Sequence, residues 1–149
     1  ENRKWRVESD FDDTQKAIHL NDIEGKANGQ NVKTFVSDKW TLEYDLAYYG
    51  LNNVTMKDFL IRAIVKTTYA QVNWESKITE ISKALDTQAS IEEKASCFYS
   101  FFAKGNTSKA EFSQQLALEL ETDFSGTEEK LKDLLPPYIV NAILFVTKN

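Results

Sequence analysis

The stretch Asn31-Val-Lys-Thr-Phe-Val-Ser-Asp-Lys-Trp-Thr-Leu-Glu-Tyr-Asp-Leu-Ala47 reads as a short strand that delivers acidic residues to the start of a helix. Val32, Thr34 and Val36 share one face by the two-residue period of a strand, and Phe35 adds apolar character to the run. Ser37 and Asp38 interrupt it. Thr41 then suits the N-cap of a helix carrying Leu42, Leu46 and Ala47. Glu43 and Asp45 fall in the first turns of that helix, two residues apart and therefore pointing to different sides. In open α/β folds the C-terminal edge of a strand is where ligands and metals gather. On spacing alone, the simpler reading is that both acids complement the helix dipole.

Downstream of Gly50 the pattern is helical almost throughout. Thr55 can cap a helix whose Met56, Phe59, Leu60, Ala63 and Ile64 recur at i, i+3, i+4, i+7 and i+8. A second helix from about Trp74 turns Ile78, Ile81 and Leu85 inward. Ser90 with Glu93 forms a capping-box pattern for a third, with Ile91, Ala95, Phe98, Phe101 and Phe102 as an aromatic-rich face. Gly105 ends it. Ser108 with Glu111 opens a helix burying Phe112, Leu116 and Leu120, Thr127 starts a short one, and Pro137 suits the first turn of the last, with Ile139, Ala142, Ile143 and Val146 inward. Residues 1–30 are polar and charged, a connecting segment with one weak helical pattern around Ala17, Ile18 and Leu20 that gives way to Gly25 and Gly29. The organisation is one strand amid about seven helices, and a lone strand needs partners from elsewhere. Those partners are expected upstream or within residues 1–10. Together with a start at Glu1 rather than methionine, this makes the chain read as a piece of a larger protein.

At 149 residues, 42% apolar and 28% charged, the chain suits one domain with a real core and is not of disordered composition. The longest apolar-rich run, Tyr138 to Val146, is too short for a bilayer, and no signal peptide pattern is present. The single cysteine, Cys97, excludes an intramolecular disulfide framework and fits a reducing cytoplasm. One histidine, His19, and one cysteine cannot build a typical zinc site. A net charge of −5 argues against a stand-alone nucleic-acid binder, although a two-metal nuclease centre is itself acid-rich. Trp5, Trp40 and Trp74 have no basic stripe around them and read as core or interface anchors.

Three segments resemble the overcoming-lysogenisation-defect (OLD) family of ATP-dependent endonucleases, in the family's order. Val32-Lys-Thr-Phe-Val-Ser37 followed by Thr41-Leu-Glu-Tyr-Asp-Leu-Ala47 is similar to the C-terminal part of its Toprim domain. Lys109-Ala-Glu-Phe-Ser-Gln-Gln-Leu-Ala117 resembles its late lysine segment, and Leu135-Pro-Pro-Tyr-Ile-Val-Asn-Ala-Ile143 its closing helix. The resemblance implies a mainly α (α+β) chain: a helical, bundle-like C-terminal portion of a Toprim α/β domain, with one or few short strands. Residues 1–30 would connect into it and residues 31–149 would form it.

The implied chemistry is metal-dependent hydrolysis of DNA phosphodiester bonds. Hard oxygen ligands suit magnesium or manganese, and paired ions stabilise the attacking and leaving oxygens together. By resemblance, Glu43 is the expected metal ligand and Lys109 the catalytic cation beside the scissile phosphate. Asp10-Phe11-Asp12 has the spacing of the family's Asp-x-Asp metal pair, but what precedes it is not an apolar strand, and on the residues themselves a solvated acidic turn is the simpler reading. Lys104 lies close enough in sequence to be confused with Lys109. No Gly-Lys-Ser/Thr phosphate loop occurs, so ATP would act through an upstream domain. The implied partners are DNA and a second copy in the full-length protein, with no membrane and a cytoplasmic setting; the isolated piece is expected to be inactive. The competing expectation is a non-catalytic helical interaction module, such as an adaptor or a toxin-neutralising partner.

Overall fold

A computed structural model describes residues 10–27 and 33–147. Eight α-helices account for most of these: α1 (Asp13–Ala27), α2 (Leu42–Gly50), α3 (Val54–Thr68), α4 (Trp74–Asp86), α5 (Ile91–Ala103), α6 (Lys109–Asp123), α7 (Glu128–Lys132) and α8 (Pro137–Thr147). The chain is therefore mainly helical, with a bundle-like arrangement. Helix α3 is its axis. It packs against α6, α4 and α2, while α2 and α4 both pack against α5. The periodic apolar positions of α3 explain this: Met56, Leu60, Ala63, Ile64 and Val65 are fully buried, and Phe59 and Ile61 nearly so. Phe98 and Phe102 of α5 and Phe112 of α6 meet them as a mutually tilted aromatic cluster with ring centroids 5.0 to 5.9 Å apart.

The expected strand is not there. Among the described residues no strand is formed, and residues 33–37 run as irregular chain. Backbone donors and acceptors in an extended run need a neighbouring strand, and none lies within the described residues. Phe35 packs its ring against Phe145 of α8 at 5.8 Å instead, with the Lys33 ammonium 5.3 Å and 4.9 Å from the two ring centroids. The apolar character of this run serves side-chain packing against a helix. Val32 and residues 1–9, including Trp5, lie outside the described residues.

Helix boundaries follow local capping chemistry. The Thr41 hydroxyl accepts from the Tyr44 N–H at 3.4 Å, Ser90 from Glu93 at 3.2 Å, Ser108 from Glu111 at 3.3 Å and Thr127 from Lys130 at 3.4 Å. Asn53, not Thr55, caps α3, its side-chain oxygen accepting from the Met56 N–H at 3.0 Å. Asparagine is at least as good a cap as threonine, and it comes first in the chain. Helix α1 runs through Gly25 to Ala27, so that glycine is no stop. Gly50 does matter: a Cβ there would lie 2.7 Å from Cγ of Met56, so its lack of a side chain lets α2 close down on α3.

Candidate functional site

The N-termini of α2 and α6 meet across 66 residues of sequence. The Lys109 Nζ donates to Glu43 Oε2 at 2.8 Å, and each residue sits in the first turn of its helix. Neither position is accidental. Thr41 fixes the start of α2, and the burial of Tyr44, Leu46 and Ala47 fixes its rotation. That rotation leaves the Glu43 side chain only 7% exposed. On the other side, α5 closes with Gly105 at φ +72°, where the Gly105 and Asn106 N–H groups return to the Phe102 and Phe101 carbonyls at 2.9 and 3.2 Å. The chain then passes through buried Thr107, whose hydroxyl lies 2.5 Å from that of Thr68 at the end of α3. Ser108 caps, and Lys109 follows.

The electrostatics of the pair are uneven. A carboxylate in the first turn of α2 faces the positive end of a helix dipole and is favoured there, whereas an ammonium in the first turn of α6 is disfavoured. Glu43 offsets the second effect. Lys109 remains 52% exposed at its side chain and lies 5.8 Å from the centroid of the Tyr99 ring on α5. The result is a half-exposed cation backed by an aromatic face and a buried carboxylate, at a point where the N-terminal ends of two helices converge. Helix N-termini of this kind favour anions.

Asp45 has a different task. It is fully buried, and its carboxylate accepts from the Ser37 hydroxyl at 2.6 Å and from the Trp40 N–H at 3.0 Å. It thus pins the segment before α2 onto the helix. Burial holds its pKa above the ordinary carboxylate value despite those hydrogen bonds. Beside it, Tyr49 donates to Asp38 at 2.5 Å. The pKa of the Tyr138 hydroxyl, at the start of α8, is pushed up by burial and then by the charges of Asp45, Asp38 and Glu43. Nothing in the sequence marks Tyr99 or Tyr138 as a site residue. Each lies on a helix whose apolar periodicity reads as core.

Asp12 caps α1, accepting from the Gln15 N–H at 2.8 Å while the Gln15 side chain accepts from the Asp12 N–H at 3.3 Å; Asp10 is exposed just before it. Among the described residues no group of three or more His, Cys, Asp or Glu side chains is placed to hold a metal ion. Glu43 is the acid that Lys109 meets. Lys104 closes α5 as its exposed C-cap. Cys97 is half-buried on α5 with its thiol pKa pushed up by burial, and Trp74 donates its indole N–H to the Tyr69 carbonyl at 3.0 Å. No described helix is long and apolar enough to cross a membrane.

No protein-family model, curated protein or solved structure matches this chain.

Proposed function

We propose that this chain is the C-terminal portion of a DNA endonuclease of the OLD type, in which Lys109 contacts the phosphodiester and Glu43 holds it in place. The observation that carries the reading is the 2.8 Å pairing of Glu43 with Lys109. Two residues singled out from separate, weakly similar segments share one surface site. A half-exposed ammonium at converging helix N-termini suits a phosphate oxygen and could neutralise charge that develops on it during hydrolysis. The acids among the described residues do not amount to a metal cage, so magnesium or manganese would need ligands beyond Glu43.

The test is plasmid nicking with magnesium or manganese by the protein that carries this chain together with whatever its reading frame encodes before Glu1. The expected result is cleavage, with Lys109→Ala and Glu43→Gln each reducing the rate by about a hundredfold or more while thermal unfolding shifts by a few degrees at most. Cleavage unaffected by either change, or no cleavage at all, would remove the nuclease reading.

A second reading is favoured by a separate observation. On α8, Ile143, Phe145 and Val146 are 46%, 41% and 71% exposed. Apolar side chains grouped this way on one helix suit a protein interface. In that case the chain is a non-catalytic interaction module, and alanine changes on α8 would abolish partner binding while Lys109→Ala would not.

A further inference from the structure

We propose that the cleft between α1 and the Ser37–Trp40 turn binds an uncharged planar heterocycle whose acceptor atom takes the indole N–H of Trp40. The cleft has a volume of about 360 Å³, within the usual range for small-molecule sites. Its apolar wall is made by Phe11, Leu20 and Trp40, with the Phe11 and Trp40 rings in contact at a centroid distance of 4.3 Å. Such a surface favours a flat ring through area burial and ring-edge geometry. The rim carries both signs, and its charges are already answered. Lys16 has a partner of its own. Lys39 Nζ lies 4.8 Å from the centroid of the Tyr48 ring and faces the Glu92 carboxylate on α5. The Asp38 carboxylate accepts from the Tyr49 hydroxyl. His19 counts as neutral at pH 7. An ion entering here would give up its hydration without meeting an unanswered countercharge, whereas a neutral ring gives up little.

The polar half of the recognition comes from Trp40. Among the described residues two buried side-chain nitrogens make no hydrogen bond, Arg62 Nε and Trp40 Nε1. Arg62 Nε has the Asp58 carboxylate 3.1 Å away, which leaves Trp40 as the donor with no answering group. Buried donors are almost always paired, so an acceptor delivered to this N–H removes a standing cost. The two walls of the cleft differ in how firmly they are held. Buried Asp45 fastens Ser37 and Trp40 to α2, so the turn is a preformed platform. Helix α1 is mostly exposed and meets that platform through Phe11. Because Nε1 is closed off from solvent, the acceptor arrives with a displacement of the α1 wall, the one that can give. Nothing in the pairing of Glu43 with Lys109 depends on this cleft, so either site can exist without the other.

The full chain labelled with ¹⁵N supplies the measurement. The Trp40 indole N–H reports directly on a new acceptor, and the Trp74 indole N–H, fixed on the Tyr69 carbonyl, is the internal control. Trp40→Phe assigns the signal. Three matched probes separate charge from hydrogen bonding: quinoline, neutral with a ring-nitrogen acceptor; N-methylquinolinium, a cation with that acceptor blocked; and quinoline-3-carboxylate, an anion that keeps it. The expected outcome is a saturable downfield shift of Trp40 but not Trp74 with quinoline at millimolar concentration, and binding of each charged analogue weaker by about threefold or more. Trp40→Phe keeps an aromatic wall and removes the donor. Followed through the Lys39 amide, it should weaken quinoline about fivefold and leave N-methylquinolinium unchanged, with an unmoved Trp74 signal showing that the fold is intact. No shift with quinoline, equal shifts at both tryptophans, a charged analogue binding as tightly as quinoline, or an unchanged quinoline affinity in Trp40→Phe would each overturn the proposal.

Discussion

Among the described residues two buried glutamates join helices, and they are built differently. Glu119, 3% exposed, sits between α3 and α6 and receives three donors: Lys66 at 2.5 Å, Gln115 at 2.8 Å and Arg62 at 3.1 Å. Arg62 in turn reaches Asp123 at 2.6 Å and Asp58 at 3.1 Å. Glu43, slightly less buried, receives one side-chain donor, from a lysine that is half-exposed. A buried charge is tolerated when its acceptor sites are filled. Glu119 meets that condition with groups from its own and the facing helix and reads as a structural clamp. Glu43 meets it only in part, and spare acceptor capacity beside an accessible cation is the arrangement expected where a ligand is to be contacted.

Substitution separates the two roles. Glu119→Gln leaves Lys66 and Arg62 facing each other without the carboxylate between them. We expect a loss of about 2–3 kcal/mol, discounted from the full cost of breaking a buried pair because both cations are partly exposed. Urea unfolding reads this directly. A loss no larger than that of Glu43→Gln would erase the distinction between the clamp and the site.

Gly50→Ala acts on the Glu43 side, through the seating of α2. The added methyl would meet Met56 Cγ at 2.7 Å and Leu60 Cδ1 at 3.0 Å, and Met56 is itself fully buried. Overpacking of this kind costs about 1–3 kcal/mol. The contact between Lys66 and Glu119 involves neither side chain and should be untouched. The same variant combined with Glu119→Gln should therefore show additive losses in urea unfolding, and strong non-additivity would mean that the two regions are one unit.

Much of the helical framework is legible in the sequence because capping and periodicity are local. Ser90, Ser108, Thr127, Thr41 and Gly105 each act within four residues of their position, and the buried face of α3 follows from its own spacing. The region before α2 misleads for the same reason. Val-Lys-Thr-Phe-Val has strand composition, but a strand is defined by a partner, and partner choice is not local. Phe35 finds a helix, α8, instead. The meeting of Glu43 and Lys109 cannot come from spacing; it depends on Thr107 holding the α5–α6 connection against the end of α3. Tyr99 and Tyr138 stay hidden because an aromatic on an apolar face looks the same whether it packs or lines a site.

Asp45 differs from both glutamates, since it is buried with neutral donors only among its direct hydrogen-bond partners. Its folded pKa is raised by burial above 3.8, so the folded state holds the proton more tightly than the unfolded chain. Stability attributable to this group is therefore greatest at low pH and falls as pH rises from the unfolded value through the folded one. In Asp45→Asn the amide oxygen can still accept from the Trp40 N–H, and the amide nitrogen can donate to Ser37. Stability at neutral pH should then lie within about 1 kcal/mol of the parent, with the acid-side slope reduced. Urea midpoints across the acidic range decide it: an unchanged slope would assign the titration elsewhere.

The smallest effect carries the most information. A double-mutant cycle of Glu43→Gln and Lys109→Gln measures the coupling of the pair in isolation from each residue's other contacts. With the lysine head half in water, the expected coupling is about 0.5 kcal/mol, close to that of an exposed ion pair. A value that small means the contact does little to hold α2 against α6, so that the burial of a carboxylate beneath an accessible ammonium needs a reason other than stability. Contact with an anion supplies one. A coupling as large as that of a fully buried pair, about 3 kcal/mol, would instead make Glu43 and Lys109 a second clamp of the Glu119 kind. Repeating the cycle with a short duplex DNA present separates the cases further. A bound phosphate competes with Glu43 for the lysine and should lower the coupling, whereas a structural clamp would not respond.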